Sequence, residues 1–209
     1  MLNTHFYFFL NLTIIIPVVI GLFRYKNILN GYNIFSALLT FGFLNELLQI
    51  FIVSNFSKGI ISTVYGFIET QCYLILFLKW RNFKRSTIIN FQIFFFFVSL
   101  IGFLLKLNST GISIEWSHKI QLLILVVLAI PILTQKTTEH SRSQKFIIVP
   151  FVVFSLYFIV LNILMHFLFN KSTQPLFVNL YSIITIINFL SYISYSFAII
   201  WAPKREQFL

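Results

Sequence analysis

Long apolar stretches alternate with short polar connections along the whole chain. Each stretch is a continuous run, and a helix needs about 20 such residues to cross the hydrocarbon core of a bilayer. The pattern predicts seven membrane-spanning helices and no strands, since barrel strands are short segments of alternating hydrophobicity. The predicted spans are 6–23, 34–53, 60–78, 88–105, 114–133, 146–169 and 178–201.

The fifth span is the least regular of the seven. Its clean apolar core runs only from Ile120 to Leu133, and it reaches spanning length by including Ile114, Glu115, Trp116 and His118. The connections are short, and the longest stretch free of apolar runs is residues 134–145. We therefore expect one multi-pass domain over residues 1–209, with no soluble domain.

Composition supports the same class. Hydrophobic residues make up 58% of the 209 residues and charged residues only 10%, whereas a soluble domain averages about 25% charged. The five acidic residues are all Glu, which excludes paired-Asp catalysis and an EF-hand, and the single cysteine, Cys72, excludes an internal disulfide or a cysteine-built zinc site. No metal or cofactor is expected, and without HExxH, GxSxG, Walker or GxGxxG motifs we expect no enzymatic activity.

The distribution of cations predicts an orientation. Eleven of the fifteen Lys and Arg residues lie in the connections after the first, third and fifth spans and in the C-terminal tail, and four lie on the other side. Because Lys and Arg accumulate in cytoplasmic loops, the N-terminus is predicted outside and the C-terminus in the cytoplasm. The expected location is a bacterial cytoplasmic membrane, and most of the net charge of +10 reflects this topology.

Two glutamates lie inside predicted spans, where polar groups are most informative about function. Glu69 is at the midpoint of the third span, and Glu46 lies ~4 Å along the axis from the midpoint of the second. The two spans are expected to be antiparallel neighbours, so both carboxyls lie near the middle of the bilayer. A carboxylate there costs about 2.5–3.5 kcal/mol on insertion scales, and no Lys or Arg lies at the same depth to pair with it.

Neutral groups are the remaining candidate partners for these carboxyls. They are Asn45, Gln49, Tyr65, Tyr73 and Gln71. Two neighbouring carboxyls without a cation can share a proton, which is the chemistry of a proton relay or a cation site. The alternative interpretation is structural, a hydrogen-bonded clamp that locks the second and third helices together.

Further polar residues recur at helical spacing in the last two spans. Those in the sixth span are Ser155, Asn162 and His166, and those in the seventh are Tyr181, Asn188, Tyr192 and Tyr195. Each set lies on one helix face. We interpret the two faces as a hydrogen-bonded packing seam between the sixth and seventh helices.

A basic cluster follows the third span. Its cations are Lys79, Arg81, Lys84 and Arg85, interleaved with Trp80 and Phe83. Such a surface attracts nucleic acid or anionic lipid, although the positive-inside rule alone also accounts for it.

One resemblance bears on function. The pattern Arg24, Asn45-Glu46-Leu47, Asn55, Tyr65-x-x-x-Glu69 and Trp80 resembles a large group of bacterial seven-helix membrane proteins. Within that group, size and composition resemble the small multi-pass accessory proteins encoded beside the RNA-targeting effector of type VI-B CRISPR systems. The resemblance implies a non-enzymatic modulator, and possible repressor, of the effector ribonuclease in antiviral defence.

The sequence therefore favours two alternative functions. In the first, the basic cytoplasmic surface faces the ribonuclease or its RNA. In the second, the chain is a small proton- or cation-coupled transporter, channel or sensor that uses Glu46 and Glu69. The bilayer is the expected surroundings in both cases, self-association is compatible with both, and no small-molecule substrate is identified by a motif.

Overall fold

The fold was analysed in a computed structural model. It describes residue 10 and residues 12–51, 55–107, 113–135, 139–168 and 174–204. Over these residues the chain forms seven α-helices and no strand. They are α1 (Ile15–Arg24), α2 (Asn30–Phe51), α3 (Asn55–Trp80), α4 (Arg85–Leu107), α5 (Ser113–Leu133), α6 (Glu139–Leu168) and α7 (Gln174–Ile200).

The helices form a closed bundle. Each helix packs against the next in the sequence, and α1 also packs against α7, which closes the ring. An additional contact joins α3 to α5, so α4 lies on the outer side of this pair. The arrangement leaves α2, α3, α5, α6 and α7 around a common interior.

Two contacts define how α2 and α3 are aligned along their length. Near the end of α2, Gln49 Nε2 donates a hydrogen bond to Ser62 Oγ at 2.7 Å. At the opposite end, a Cβ added at Gly31 would lie 3.2 Å from Trp80 Nε1. The two helices are therefore antiparallel, and this pairing places Glu46 level with Tyr65.

The C-terminal ends of α1 and α7 are joined by hydrogen bonds at one end of the bundle. Arg24, the last residue of α1, donates hydrogen bonds to the carbonyls of Ile199 and Ile200 at the end of α7. The Leu29 amide donates to the Pro203 carbonyl at 3.3 Å. Because the last carbonyls of a helix lack intrahelical partners, the Arg24 guanidinium supplies both charge and donors to the C-terminus of α7.

The outer surface is strongly apolar. On α4, Phe94 and Phe97 are 52% and 54% exposed, whereas Phe95 between them is fully buried. Every described helix exposes at least one large apolar side chain. A water-soluble monomer rarely exposes contiguous apolar surface on this scale, so the surface is of the kind that lipid covers.

Four helices are long and apolar enough to cross a membrane. The qualifying segments are Ile61–Trp80, Arg85–Gly102, Ser141–Met165 and Ser182–Ile200. The apolar parts of α1 and α5 are shorter, Ile15–Arg24 and Ser117–Leu133. The prediction of an all-helical chain with seven helices is confirmed for the described residues, and location in a membrane is plausible.

Candidate functional site

A cavity of about 180 Å³ lies inside the bundle. Helices α2 and α3 supply Asn45, Glu46, Tyr65, Glu69 and Tyr73 to its lining. Five of the six residues predicted as an intramembrane polar site therefore meet in one place. Glu46 and Glu69 come from different helices and face the same space.

Helical spacing explains why these side chains share a face. Tyr65, Glu69 and Tyr73 recur every four residues on α3, and residues four apart lie one above another on a helix. On α2, Gly42 and Glu46 have the same spacing and both line the cavity. Given the α2–α3 register, Glu69 lies about one helical turn, ~6 Å, from the level of Glu46.

The sixth predicted residue, Gln49, is placed differently. It does not line the cavity, and its amide bonds to Ser62 across the α2–α3 contact. Gln71, the other amide considered, lies with Gln92 in an outward-facing groove between α3 and α4. Sequence spacing alone does not separate these amides from the cavity residues, because all lie within a turn or two of a glutamate.

The cavity also contains polar residues from α5 and α7 that the sequence did not assign to this site. They are His118, Asn188, Ser191, Tyr192 and Tyr195. The spacing of Asn188, Tyr192 and Tyr195 predicted a shared face, but that face was assigned to a seam with α6. The side chains of His166 and Tyr181 lie outside the described part.

The α6–α7 contact does contain polar bonds, although through other residues. Tyr157 Oη donates to the Leu180 carbonyl at 2.8 Å, and Ser194 Oγ donates to the Phe146 carbonyl at 2.7 Å. Asn162 bonds within its own helix, to the Phe158 carbonyl at 2.8 Å. The contact thus relies on side-chain donors to backbone carbonyls.

His118 reaches the interior because α3 has a glycine opposite it. A Cβ added at Gly66 would lie 3.6 Å from His118 Cε1, and Gly66 is three residues before Glu69 on the same helix face. The sequence pattern predicted His118 only as one of the residues that bring the fifth span to spanning length. The signal that could have identified it is the small residue at position 66.

Several oxygen atoms at the cavity have no hydrogen-bond donor among the described residues. The buried Asn45 Oδ1 has no hydrogen-bond partner, and within the described residues neither the Glu46 nor the Glu69 carboxyl bonds directly to another protein group. Donors from water or a ligand would satisfy these oxygens, since buried polar groups are normally paired.

The described lining contains two carboxyls and one imidazole but no Lys or Arg. Ligands that carry positive charge are favoured in such a site, because an unpaired carboxylate in a low-dielectric interior is costly. Among the described residues, no three His, Cys, Asp or Glu side chains are grouped to hold a metal ion.

Aromatic side chains in the wall of the cavity pack against one another. The Tyr73 ring centroid lies 4.3 Å from that of Phe151, and the Tyr73 and Tyr195 hydroxyls are 3.4 Å apart. Tyr195 also packs edge-on against Phe35 at 5.0 Å. These contacts join α2, α3, α6 and α7 in one aromatic wall.

The predicted basic surface follows α3 on a well-defined turn. Phe83 N–H donates to the Leu78 carbonyl and Asn82 N–H to the Lys79 carbonyl, both at 3.0 Å, which is the Schellman pattern. Asn82 has φ 56°, the left-handed conformation that Asn tolerates. Side chains of Lys79, Lys84 and Arg85 are exposed, and Arg81 lies 5.0 Å above the Phe83 ring.

Comparisons of the chain with protein-family models, with curated proteins and with solved structures find no match. The similarity to bacterial seven-helix accessory proteins therefore stays a prediction from the sequence.

Proposed function

We propose that the protein is a small multi-pass membrane transporter that binds a cation at Glu46 and Glu69. The observation that carries the proposal is that both carboxyls line one interior cavity whose described lining lacks Lys and Arg. Ionisable groups kept inside a bundle at an energetic cost commonly mark ion and substrate pathways. No catalytic step is part of the proposal.

The hydrogen bonds favour this function over a structural clamp. A clamp requires each carboxyl to bond directly to the neighbouring helix. In the described part of the chain the α2–α3 side-chain bond is instead made by Gln49 and Ser62. The glutamates face a cavity, which leaves their oxygens available to a ligand.

The proposed membrane topology has seven spans, with the N-terminus outside and the C-terminus in the cytoplasm of a bacterial cell. The apolar outer surface and the four long apolar helices support membrane insertion. The excess of Lys and Arg after the first, third and fifth helices supports the orientation. A cavity between the ends of these helices then lies within the bilayer.

Flux through vesicles tests the proposed function. Purified protein is reconstituted with a pH-sensitive dye inside, and a Na⁺ or K⁺ gradient or a pH step is imposed. We expect a protein-dependent flux of H⁺, Na⁺ or K⁺, followed with ion-selective dyes. The Glu46→Gln, Glu69→Gln double variant should lower its rate at least about tenfold, because hydrogen bonds to charged groups are each worth roughly 1.5–3 kcal/mol.

Glu139→Gln is the matched control. Glu139 is the first residue of α6 and lies ~18 Å along the helix axis from the cavity residue Phe151. Its variant should transport at the wild-type rate. Flux equal to that of protein-free vesicles, or equal in wild type and double variant, would overturn the proposal.

The ordered basic turn favours a second candidate, contact with an anionic cytoplasmic partner such as the effector ribonuclease or its RNA. Three of its cations are exposed beside a fixed backbone turn. Co-expression with the effector in a target-depletion assay tests this candidate. Lys84→Ala with Arg85→Ala should change depletion, whereas Lys26→Ala, in a different exposed connection, should leave it unchanged; equal depletion in all strains would contradict it.

A further inference from the structure

The cavity that holds Glu46 and Glu69 has the chemistry to recognise a particular kind of cation. Six aromatic rings belong to its lining: Tyr65, Tyr73, Phe151, Phe154, Tyr192 and Tyr195. They come from α3, α6 and α7, so rings approach the space from several sides. The face of an aromatic ring attracts a cation, and more strongly when water is excluded.

The volume argues against a bare inorganic ion as the sole occupant. A water molecule takes about 30 Å³ of liquid, and the cavity of about 180 Å³ holds roughly six such volumes. Leu38, Leu122 and Phe151 add apolar surface to the lining. Water against that surface is unfavourable, whereas the carbon atoms of an organic ligand would be stabilised there.

The free acceptors specify the polar end of the ligand. Asn45 Oδ1 is buried without a partner, and in the described residues the two carboxyls make no direct hydrogen bond to protein. These oxygens can accept hydrogen bonds from a ligand, and the two carboxylates favour a ligand that is positively charged. A protonated primary amine offers three donors, whereas a quaternary ammonium ion offers none.

We propose that the ligand is a small protonated primary amine with a short hydrocarbon part. Its ammonium group binds Glu46, Glu69 and Asn45 beside the face of the Tyr192 ring, and its carbon atoms pack against the rings of Tyr73 and Phe151. The proposal rests on the cation-transport function above and adds a protonated amine to the H⁺, Na⁺ or K⁺ that the same carboxyls bind. The mutual packing of Tyr73 with Phe151 and Tyr195 holds the aromatic wall ready for the ligand, which reduces the entropy lost on binding.

Equilibrium binding in detergent micelles tests the ligand class, because a neutral amine crosses lipid without a carrier. The probes are propylammonium, tetramethylammonium, propanoate and Na⁺. Propylammonium should bind most tightly, at least about tenfold more tightly than tetramethylammonium, which lacks hydrogen-bond donors. Propanoate should not bind, because two acidic groups and an orphan acceptor repel it.

Variants of Tyr192 separate the ring from the hydroxyl. Tyr192→Leu removes the aromatic face and should weaken propylammonium binding about two- to thirtyfold. Tyr192→Phe keeps the ring and should bind at close to the wild-type affinity. Phe94→Leu, at an exposed ring on α4, is the control and should bind as the wild type does.

The outcomes distinguish this inference from the proposed function. Glutamate-dependent flux of Na⁺, K⁺ or protons without propylammonium binding would overturn the amine inference and leave the transport proposal standing. Propylammonium binding of equal strength in wild type and in the Glu46→Gln, Glu69→Gln variant would overturn the proposed site itself. Tetramethylammonium binding as tight as propylammonium would contradict the role assigned to the N–H donors.

Discussion

Glu46 and Glu69 are costly residues to place inside an apolar bundle, and their surroundings explain how the fold accommodates them. Each faces a shared cavity inside the bundle. The sequence identified both, together with Asn45, Tyr65 and Tyr73, because polar residues at fixed spacing stand out in an apolar run. It did not identify His118, whose position depends on a packing contact with Gly66 across two helices.

Gly21 lies at a close approach of α1 to α2. A Cβ added there would lie 2.2 Å from Ser36 Oγ and 3.1 Å from Ser36 Cβ. Overpacking of this kind typically costs about 1–3 kcal/mol. We therefore expect Gly21→Ala to lower the thermal unfolding temperature of the purified protein in detergent.

Two variants check that explanation. Ser36→Ala removes the nearest atom, so the Gly21→Ala, Ser36→Ala double variant should recover part of the lost stability, with a non-additive interaction as expected for residues in contact. Gly66→Ala should have little effect, since its added Cβ would meet His118 at an ordinary 3.6 Å. An unfolding temperature for Gly21→Ala equal to that of Gly66→Ala would contradict the assigned clash.

At the scale of the elements, apolar runs indicate the position of a helix better than its ends. The predicted sixth span begins at residue 146, whereas α6 begins at Glu139. The polar residues before the apolar run continue the helix, and Ser141, Ser143 and Gln144 among them are buried in the bundle, where the Ser143 hydroxyl is hydrogen-bonded to that of Tyr32. Hydropathy marks the part of a helix suited to lipid, so helix ends beyond that part are not visible in it.

The neighbour that a polar helix face contacts is harder to predict than the face itself. The spacing of Asn188, Tyr192 and Tyr195 on α7 specifies a common face, but spacing does not say which neighbour the face meets. In the fold it contributes to the cavity, because the contact of α1 with α7 closes the ring and leaves this face toward the interior. Contacts between helices distant in sequence are not encoded in local periodicity, and only the folded bundle reveals them.

For the molecule as a whole, the apolar exterior and the uneven placement of Lys and Arg belong together. Helices that are covered by lipid need few surface charges, and those present lie mainly in alternate connections. This leads to a prediction of topology. A phosphatase reporter fused after Leu209 should be inactive and a cytoplasmic reporter active there, because the C-terminus is expected in the cytoplasm.

The same reporters inserted in the connection between α2 and α3 provide the control, with the opposite result. Phosphatase activity at the C-terminal fusion would contradict the seven-span orientation. It would not affect the cavity, whose lining depends on the packing of the helices.

Infrared difference spectroscopy tests the central claim, cation binding at Glu46 and Glu69, most directly. Purified protein is titrated with Na⁺, K⁺ and propylammonium in turn, and changes in the carboxyl stretching bands are recorded. The proposal predicts that at least one of these cations shifts bands that disappear in the Glu46→Gln, Glu69→Gln variant and persist in Glu139→Gln. Identical difference spectra for wild type and the double variant would contradict it.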